Sequence, residues 1–318
     1  MSVKLSVVIP VFNEEENLRP LAQELSAALR PLGLEYEVLW VDDGSADSSP
    51  AIIRELCAAD PAMRGIFFGR NFGQTAAIAA GARHSRGELV ALLDADGQND
   101  PADIPSMLEQ MQKGGYDLVS GWRKNRQDAR LTRILPSALA NWIISRVTGV
   151  PLHDYGCTLK IYRSEYLRNL RLYGEMHRFI PAFAASMGAR ITEHETHHRP
   201  RTRGSSKYGL GRTFKVLLDL MTVKFMGSYL SKPIYFFGGW AAALCGLSGL
   251  LAAYTAYNKF FHHIFVKDQP LFLVAIFMFI IGALMLMLGL LSEVLIRVYY
   301  ELNDGAPYHI RSRCGGKE

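Results

Sequence analysis

The sequence predicts an α/β domain with a mostly parallel sheet, followed by an interfacial helix and two transmembrane helices. Three observations carry this expectation. Short β-branched runs alternate with helical stretches over the first part of the chain, the pattern of a sheet covered by helices on both faces. Several of those runs end on acidic residues. Residues 233–257 and 270–292 carry no charged side chain, and each run exceeds the roughly 20 residues that cross a hydrocarbon core of about 30 Å.

In chain order, Leu5 to Val11 is a β-branched run interrupted by Pro10, and Asn13 can cap a helix whose first turn carries Glu14, Glu15 and Glu16. Tyr36 to Val41 is a second strand, ending at Asp42-Asp43-Gly44-Ser45. Gly65 to Phe68 is a third, with a helix after Asn71-Phe72-Gly73 through Ala76 to Arg83. A fourth apolar run ends on Asp94-Ala95-Asp96-Gly97-Gln98, followed by a helix from Pro101 to Gln112 and a strand from Tyr116 to Ser120. In open sheets of this kind ligands bind beyond the carboxyl ends of the strands. Three acidic strand ends therefore converge on one rim, and like charges in a cleft repel unless a cation or a donor joins them. An Asp-x-Asp at a strand end suits Mg²⁺ or Mn²⁺, which take a few carboxylate oxygens and fill the remaining positions with water and substrate phosphates. Alone it also reads as a loop of solvated acids, and its neighbours on the rim decide for the metal.

These residues carry a resemblance. Val8-Ile9-Pro10-Val11-Phe12-Asn13-Glu14, Val41-Asp42-Asp43-Gly44-Ser45, Asn71-Phe72-Gly73 and Asp94-Ala95-Asp96-Gly97-Gln98 stand in the order and spacing of the family 2 inverting glycosyltransferases of GT-A fold. The resemblance spans about the first 230 residues. It implies that Pro10, Phe12, Glu14, Asp42 and Asp43 frame the base and ribose of a nucleotide-sugar. It further implies that Asp94 and Asp96, helped by Gln98, hold the Mg²⁺ or Mn²⁺ that bridges the diphosphate. Bland readings stand beside two of these: Asn13 as a helix cap only, Asp43 as closing a turn with Gly44.

Gly121-Trp122-Arg123-Lys124-Asn125-Arg126 opens a basic segment. Arg123 lies just past a strand end, where its guanidinium can clamp phosphate oxygens, while Lys124, Arg126 and Arg130 read as solvated surface. In the helix from Leu131 to Val147 the stripe Leu135, Leu139, Trp142, Ile143 and Val147 fits either core or lipid. Asp154-Tyr155-Gly156-Cys157-Thr158-Leu159-Lys160 then resembles the polyprenyl-phosphate branch of the family, which includes dolichol-phosphate mannose synthase and bacterial undecaprenyl-phosphate sugar transferases. Asp154 would face the acceptor. A lipid phosphate is mostly anionic near neutral pH, so that carboxylate either takes a proton or positions its neighbours. Arg203, Gly204, Ser206, Lys207 and Tyr208 fit the branch's next motif. Arg203, Ser206 and Lys207 would hold the acceptor phosphate, and Arg203 and Lys207 would neutralise charge as the leaving group departs; a basic loop at the membrane surface is the alternative. His194, His197 and His198 invite a metal reading, but Ile191 to His197 alternates like an edge strand and side-chain exposure accounts for them.

The resulting domains are a GT-A domain over 1–210, a juxtamembrane amphipathic helix over 211–232, spans at 233–257 and 270–296, and a cytoplasmic tail over 299–318. A helix packed on the GT-A domain is the other reading of 211–225. The first residues enter a strand with no secretory signal pattern, and basic residues flank both spans. The short connection between the spans carries Lys259, Lys267 and Asp268. The positive-inside rule therefore puts the catalytic domain and both termini in the cytoplasm, at an inner or plasma membrane. The 318 residues carry a net charge of +5 and four widely spaced cysteines, which argue against a disulfide framework, a zinc site and a nucleic-acid partner.

The expected function is an inverting transfer of sugar from a nucleotide donor, with UDP favoured, to undecaprenyl or another polyprenyl phosphate. The donor, the lipid and the membrane are the expected partners, and the resemblance adds a homo-oligomer, a tetramer in relatives of this architecture. A processive polysaccharide synthase is a rival, but such enzymes carry Gln-x-x-Arg-Trp after the metal site and more spans. A GT-A-like membrane adaptor or flippase subunit is another, disfavoured by the complete acidic set. Transfer to a different lipid or glycan acceptor is a third.

Overall fold

The structure is a computed structural model describing residues 3–124, 135–168, 176–199, 233–301 and 310–314. Contacts divide the chain into two units, residues 1–223 with 306–318, and residues 224–305. In the first unit the strands are β1 (Leu5–Val11), β2 (Tyr36–Asp42), β3 (Met63–Phe68), β4 (Leu89–Leu92), β5 (Leu118–Trp122), β6 (Lys160–Arg163), β7 (Ile191–Glu195) and β8 (Ile310–Cys314). They form one sheet in the order β7-β5-β6-β4-β1-β2-β3-β8. The pairs β1–β2, β1–β4, β2–β3 and β5–β7 are parallel. The helices are α1 (Glu15–Leu29), α2 (Ser49–Ala59), α3 (Gln74–His84), α4 (Ile104–Gly114), α5 (Leu135–Thr148), α6 (Ser164–Arg168) and α7 (Ile180–Ser186).

The expected mixed, mostly parallel sheet is present, and the central strands are buried on both faces. Leu5, Val7, Val8 and Ile9 of β1 and Val38, Leu39, Trp40 and Val41 of β2 are fully buried, which is why these strands read as continuous apolar runs. Strand β6 lay outside the sequence expectation. Its Lys-Ile-Tyr-Arg is short and half polar, yet it pairs antiparallel with both β4 and β5. That placement matters for the site: β4 and β5 end at the rim where β6 begins. The helix α2 was likewise unanticipated, and Ile191–Glu195 is the edge strand its alternation suggested.

Helix α5 settles the open stripe for the residues whose side chains are described. Ile144 is buried with Val150, Leu152, Tyr155 and Phe179, with Ile143 and Val147 packed against them, whereas Trp142 is exposed. The opposite edge of the sheet is closed by the tail, since Ile310–Cys314 pairs antiparallel with β3. An exposed edge is a template for unwanted pairing; the tail strand covers that of β3 and itself becomes the outermost strand. In the segment expected as a tail over 299–318, a helix continues to Glu301 and a strand follows at Ile310.

Where α3 crosses β1 the approach is close enough to exclude a side chain. A Cβ on Gly81 would lie 2.2 Å from Val8 Cγ1. Gly81→Ala is expected to destabilise the protein by about 1–3 kcal/mol through overpacking. Thermal melting of the purified protein checks this, and adding Val8→Ala should recover part of the loss.

In the second unit, helices Pro233–Phe261 and Pro270–Glu301 pack on each other. Ser248 Oγ donates to the carbonyl of Ala275 at 2.8 Å, and Gly282 admits Cys245 so closely that a Cβ would sit 2.7 Å from its Sγ. Small residues at such a crossing let helices approach in an apolar medium. Residues Ile234–Phe261 and Pro270–Leu295 are long and apolar enough to cross a membrane. Their outer faces expose Trp240, Leu250, Phe260, Phe277 and Met287, whereas the core helix of a soluble domain buries such side chains. The expected helix over 211–232 lies outside the described residues.

Candidate active site

The donor side of the rim is built by two loops that hold each other. Asn13 sits at φ +54°, where its N–H donates to Ser45 Oγ at 2.9 Å and its Oδ1 accepts from the Ala46 N–H at 2.8 Å. It does not cap α1; Glu14 occupies that position, without a capping side-chain bond. The Glu14 N–H donates to Ser49 Oγ at 3.0 Å, and its carboxylate accepts from Asn17 at 2.6 Å. Pro10 and Phe12, at the end of β1, are half-buried.

Asp42 and Asp43 are both buried. Asp42 accepts from the Ser45 N–H at 3.3 Å, and burial raises its pKa against the hydrogen bonds from Ser45. Asp43 is committed to backbone: its two oxygens accept from the N–H groups of Phe72 at 2.7 Å and Gly73 at 2.9 Å. Burial raises its pKa too, offset in part by those donors. Asp43 thus fastens the Asn71–Gly73 loop, which leads directly into α3. Gly44 permits the approach, since at φ +69° a Cβ would lie 2.4 Å from the Arg70 carbonyl carbon.

Beyond β4, Asp94 and Asp96 are half-buried. Asp94 Oδ1 accepts from Gln74 Nε2 at 2.7 Å, and Oδ2 from Thr158 Oγ1 at 2.6 Å. Burial, and then the charge of Asp96, push the Asp94 carboxyl up to about 6. Asp96 Oδ1 accepts from the Gln98 N–H at 3.1 Å. Among the described residues no group of three or more His, Cys, Asp or Glu side chains converges. The donor set is two carboxylates that repel each other, with Gln98 beside them. It fits a hard divalent ion that takes its other ligands from water and diphosphate, and does not fit a closed protein cage.

Arg123 and Asp154 form a two-point pair facing these carboxylates. Arg123 Nε and Nη2 donate to Asp154 Oδ2 at 2.7 Å and Oδ1 at 3.0 Å, and the Gly156 N–H adds a bond to Oδ1 at 3.0 Å. The two side chains are 14% and 4% exposed. Burial alone would lower the Arg123 pKa, but the charge and hydrogen bonds of Asp154 outweigh it and the net shift is upward. The expected phosphate clamp is therefore engaged with Asp154 here, and the Asp154 carboxylate faces Arg123 and a backbone N–H. Lys160, also buried, donates to the carbonyls of Tyr155 and Cys157, and burial lowers its pKa.

The segment towards the second basic motif starts at this site. Asn99 and His198 form an antiparallel bridge, and the Arg199 N–H donates to the Gln98 carbonyl at 2.9 Å. Arg199 also pairs with Glu24 and Asp100. Arg203, Ser206 and Lys207 lie outside the described residues. Of the histidines, His194 is held between Gln110 Oε1 at 2.6 Å and Ser106 Oγ at 3.0 Å, and the exposed His197 ring meets Asp103 at 2.7 Å. Sequence reasoning missed Gln74, and it quoted Thr158 and Lys160 without a role. The only signal was their position beside recognised motifs, one residue after Asn71-Phe72-Gly73 and inside Asp154–Lys160.

Comparison with known proteins shows the family and the fold. Residues 6–171 match the model of "Glycosyl transferase family 2". The chain is 42% identical over 312 residues to a dodecaprenyl-phosphate galacturonate synthase of Rhizobium johnstonii, covering 97% of this chain and 92% of that protein. It is 37% identical over 315 residues to an undecaprenyl-phosphate 4-deoxy-4-formamido-L-arabinose transferase of Shewanella sediminis, covering 98% and 93%. Among solved structures, Staphylococcus aureus TarS 1–349 in complex with UDP-GlcNAc aligns with a TM-score of 0.53 at 17% identity, over 96% of this chain and 99% of that one. Glucosyl-3-phosphoglycerate synthase of Mycobacterium tuberculosis, solved with Mn²⁺, UDP and phosphoglyceric acid, aligns with a TM-score of 0.53 at 15% identity, over 71% and 78%. The fold is thus shared with both, and by its domain match and its near full-length relatives the chain belongs to glycosyl transferase family 2, within the polyprenyl-phosphate glycosyltransferase branch.

Proposed function

We propose that this glycosyltransferase moves a sugar from a nucleotide donor, with UDP favoured, to a polyprenyl phosphate such as undecaprenyl phosphate at the cytoplasmic face of a membrane. The observation that carries the reading is that the start of the basic segment docks beside the acidic pair: the Arg199 N–H donates to the Gln98 carbonyl, and the Gln98 N–H donates to Asp96. Full-length relatives named for polyprenyl-phosphate acceptors support the lipid, and solved neighbours holding UDP or UDP-GlcNAc support the nucleotide.

In this mechanism Pro10, Phe12, Glu14 and Asp42 frame the nucleoside, and Asp43 keeps the facing loop in place. Asp94, Asp96 and Gln98 would hold Mg²⁺ or Mn²⁺, which when bound supplies charge stabilisation to the diphosphate. The lipid phosphate oxygen attacks the anomeric carbon in line, the bond to the diphosphate oxygen breaks, and the nucleoside diphosphate leaves with the electron pair. Configuration inverts. No side chain need take a proton, because the acceptor is an anion already. Arg203, Ser206 and Lys207 hold the acceptor phosphate, and Asp154 keeps Arg123 aimed at the site. The two apolar helices anchor the domain with both termini cytoplasmic.

The test supplies membranes containing the protein with a panel of radiolabelled UDP-hexoses, UDP-uronic acids, UDP-pentoses and GDP-mannose. Label is expected in organic-extractable polyprenyl-phosphate lipid from one donor class, and EDTA should abolish it. Nucleotide binding without any labelled lipid would overturn the proposal.

A further inference from the structure

We infer that Gln74 and Thr158 are positioning residues for the divalent cation, acting through Asp94. The inference rests on the metal reading above. The two side chains hold the two oxygens of one carboxylate, Oδ1 from Gln74 at 2.7 Å and Oδ2 from Thr158 at 2.6 Å. A carboxylate bonded at both oxygens cannot spin about its terminal torsion, yet each oxygen keeps a further lone pair for a cation. Both donors are neutral, so they orient Asp94 without cancelling the charge it shares with Asp96.

The donors come from separate parts of the chain, and each is itself fastened. Gln74 is the first residue of α3, immediately after Gly73, whose N–H is bound by Asp43. Thr158 belongs to the loop entering β6. In the β4–β6 ladder Leu92 faces Lys160; continuing that antiparallel register by two residues sets Asp94 opposite Thr158. The loop's other end is held by the Arg123–Asp154 pair, and Lys160 ties down the carbonyls of Tyr155 and Cys157. The acceptor-side motif thereby reaches into the donor-side metal site through one hydroxyl. Groups that orient a ligating side chain in this way are typically worth about 10–100-fold in metal affinity.

The test titrates Mn²⁺ into the full-length protein in detergent with saturating UDP, reading bound Mn²⁺ by electron paramagnetic resonance. Thr158→Val and Gln74→Leu should each weaken Mn²⁺ by about 10–100-fold. Metal-free UDP binding should stay at the wild-type value. Thr158→Ser, which keeps the hydroxyl, should bind as wild type does. Asp96→Asn separates the two levels of the argument. If Asp96→Asn loses Mn²⁺ while both Thr158→Val and Gln74→Leu keep wild-type affinity, the positioning role is wrong and the metal reading stands. Equal loss in Thr158→Ser and Thr158→Val would trace the effect to packing and overturn the role of the hydroxyl. If wild type takes up no Mn²⁺, or Asp96→Asn binds it unchanged, the metal reading falls and this inference with it.

Discussion

Asp96→Asn lowers the rate of sugar transfer on the order of 10³-fold, since Lewis-acid stabilisation of a leaving diphosphate is worth several kcal/mol and about 1.4 kcal/mol is a factor of ten. Asparagine keeps the shape of the side chain and the acceptor oxygen that receives the Gln98 N–H at 3.1 Å, so the loop conformation survives. What disappears is one of the two negative charges that face each other across Ala95. Burial, and then that repulsion, push the Asp94 carboxyl up to about 6, and a bound cation would relieve the repulsion. With the charge gone, the cation loses both a ligand and the field that draws it in. The measurement is initial rate against Mn²⁺ or Mg²⁺ concentration in the lipid-labelling assay. A metal-saturated rate within tenfold of wild type would mean that the diphosphate is neutralised by other groups, Arg203 and Lys207 first among them.

Most of the rim was legible in the chain because its signals are local. A buried parallel strand must be apolar along its length, so β1, β2 and β4 announce themselves, and the acids that follow mark where each one ends. Asp94 and Asp96 stand out once the acids at the ends of β1 and β2 are seen on the same rim. Long-range contacts were a different matter. Asn13 reads as a helix cap from its neighbours, but its bonds go to Ser45 and Ala46 in another loop. Asp43 looks like a turn residue until Phe72 and Gly73 arrive from the end of β3. Strand β6 carries no period-two pattern because Lys160 is a buried cation held by carbonyls, and no local rule anticipates a lysine there. The tail strand is set by its pairing with β3, which a mixture of Tyr, Pro, Gly and Arg does not encode locally.

Asp154→Ala destabilises the protein by about 3–5 kcal/mol, the usual cost of stripping one partner from a buried ion pair. The structural reason is Arg123, only 14% exposed, whose guanidinium loses both of its bonds to Asp154 and stays behind as a buried charge without its partner, near Asp94. Thermal melting of the purified protein should fall by roughly 10 °C. The double variant Asp154→Ala with Arg123→Leu should regain much of that loss, because removing both charges ends the desolvation cost. Activity separates two roles for this carboxylate. A general base would lose the acid limb of the kcat–pH profile in Asp154→Asn, whatever the change in melting. A positioning residue lowers kcat and leaves the shape of that profile intact. The second pattern is expected, because Asp154 is 4% exposed and both of its oxygens already accept hydrogen bonds from Arg123, with Oδ1 also accepting from Gly156. An acceptor phosphate that arrives ionised leaves the carboxylate no proton to take. In the proposed reaction, what Asp154 supplies is a fixed place for Arg123, held at two points while the lipid comes and goes.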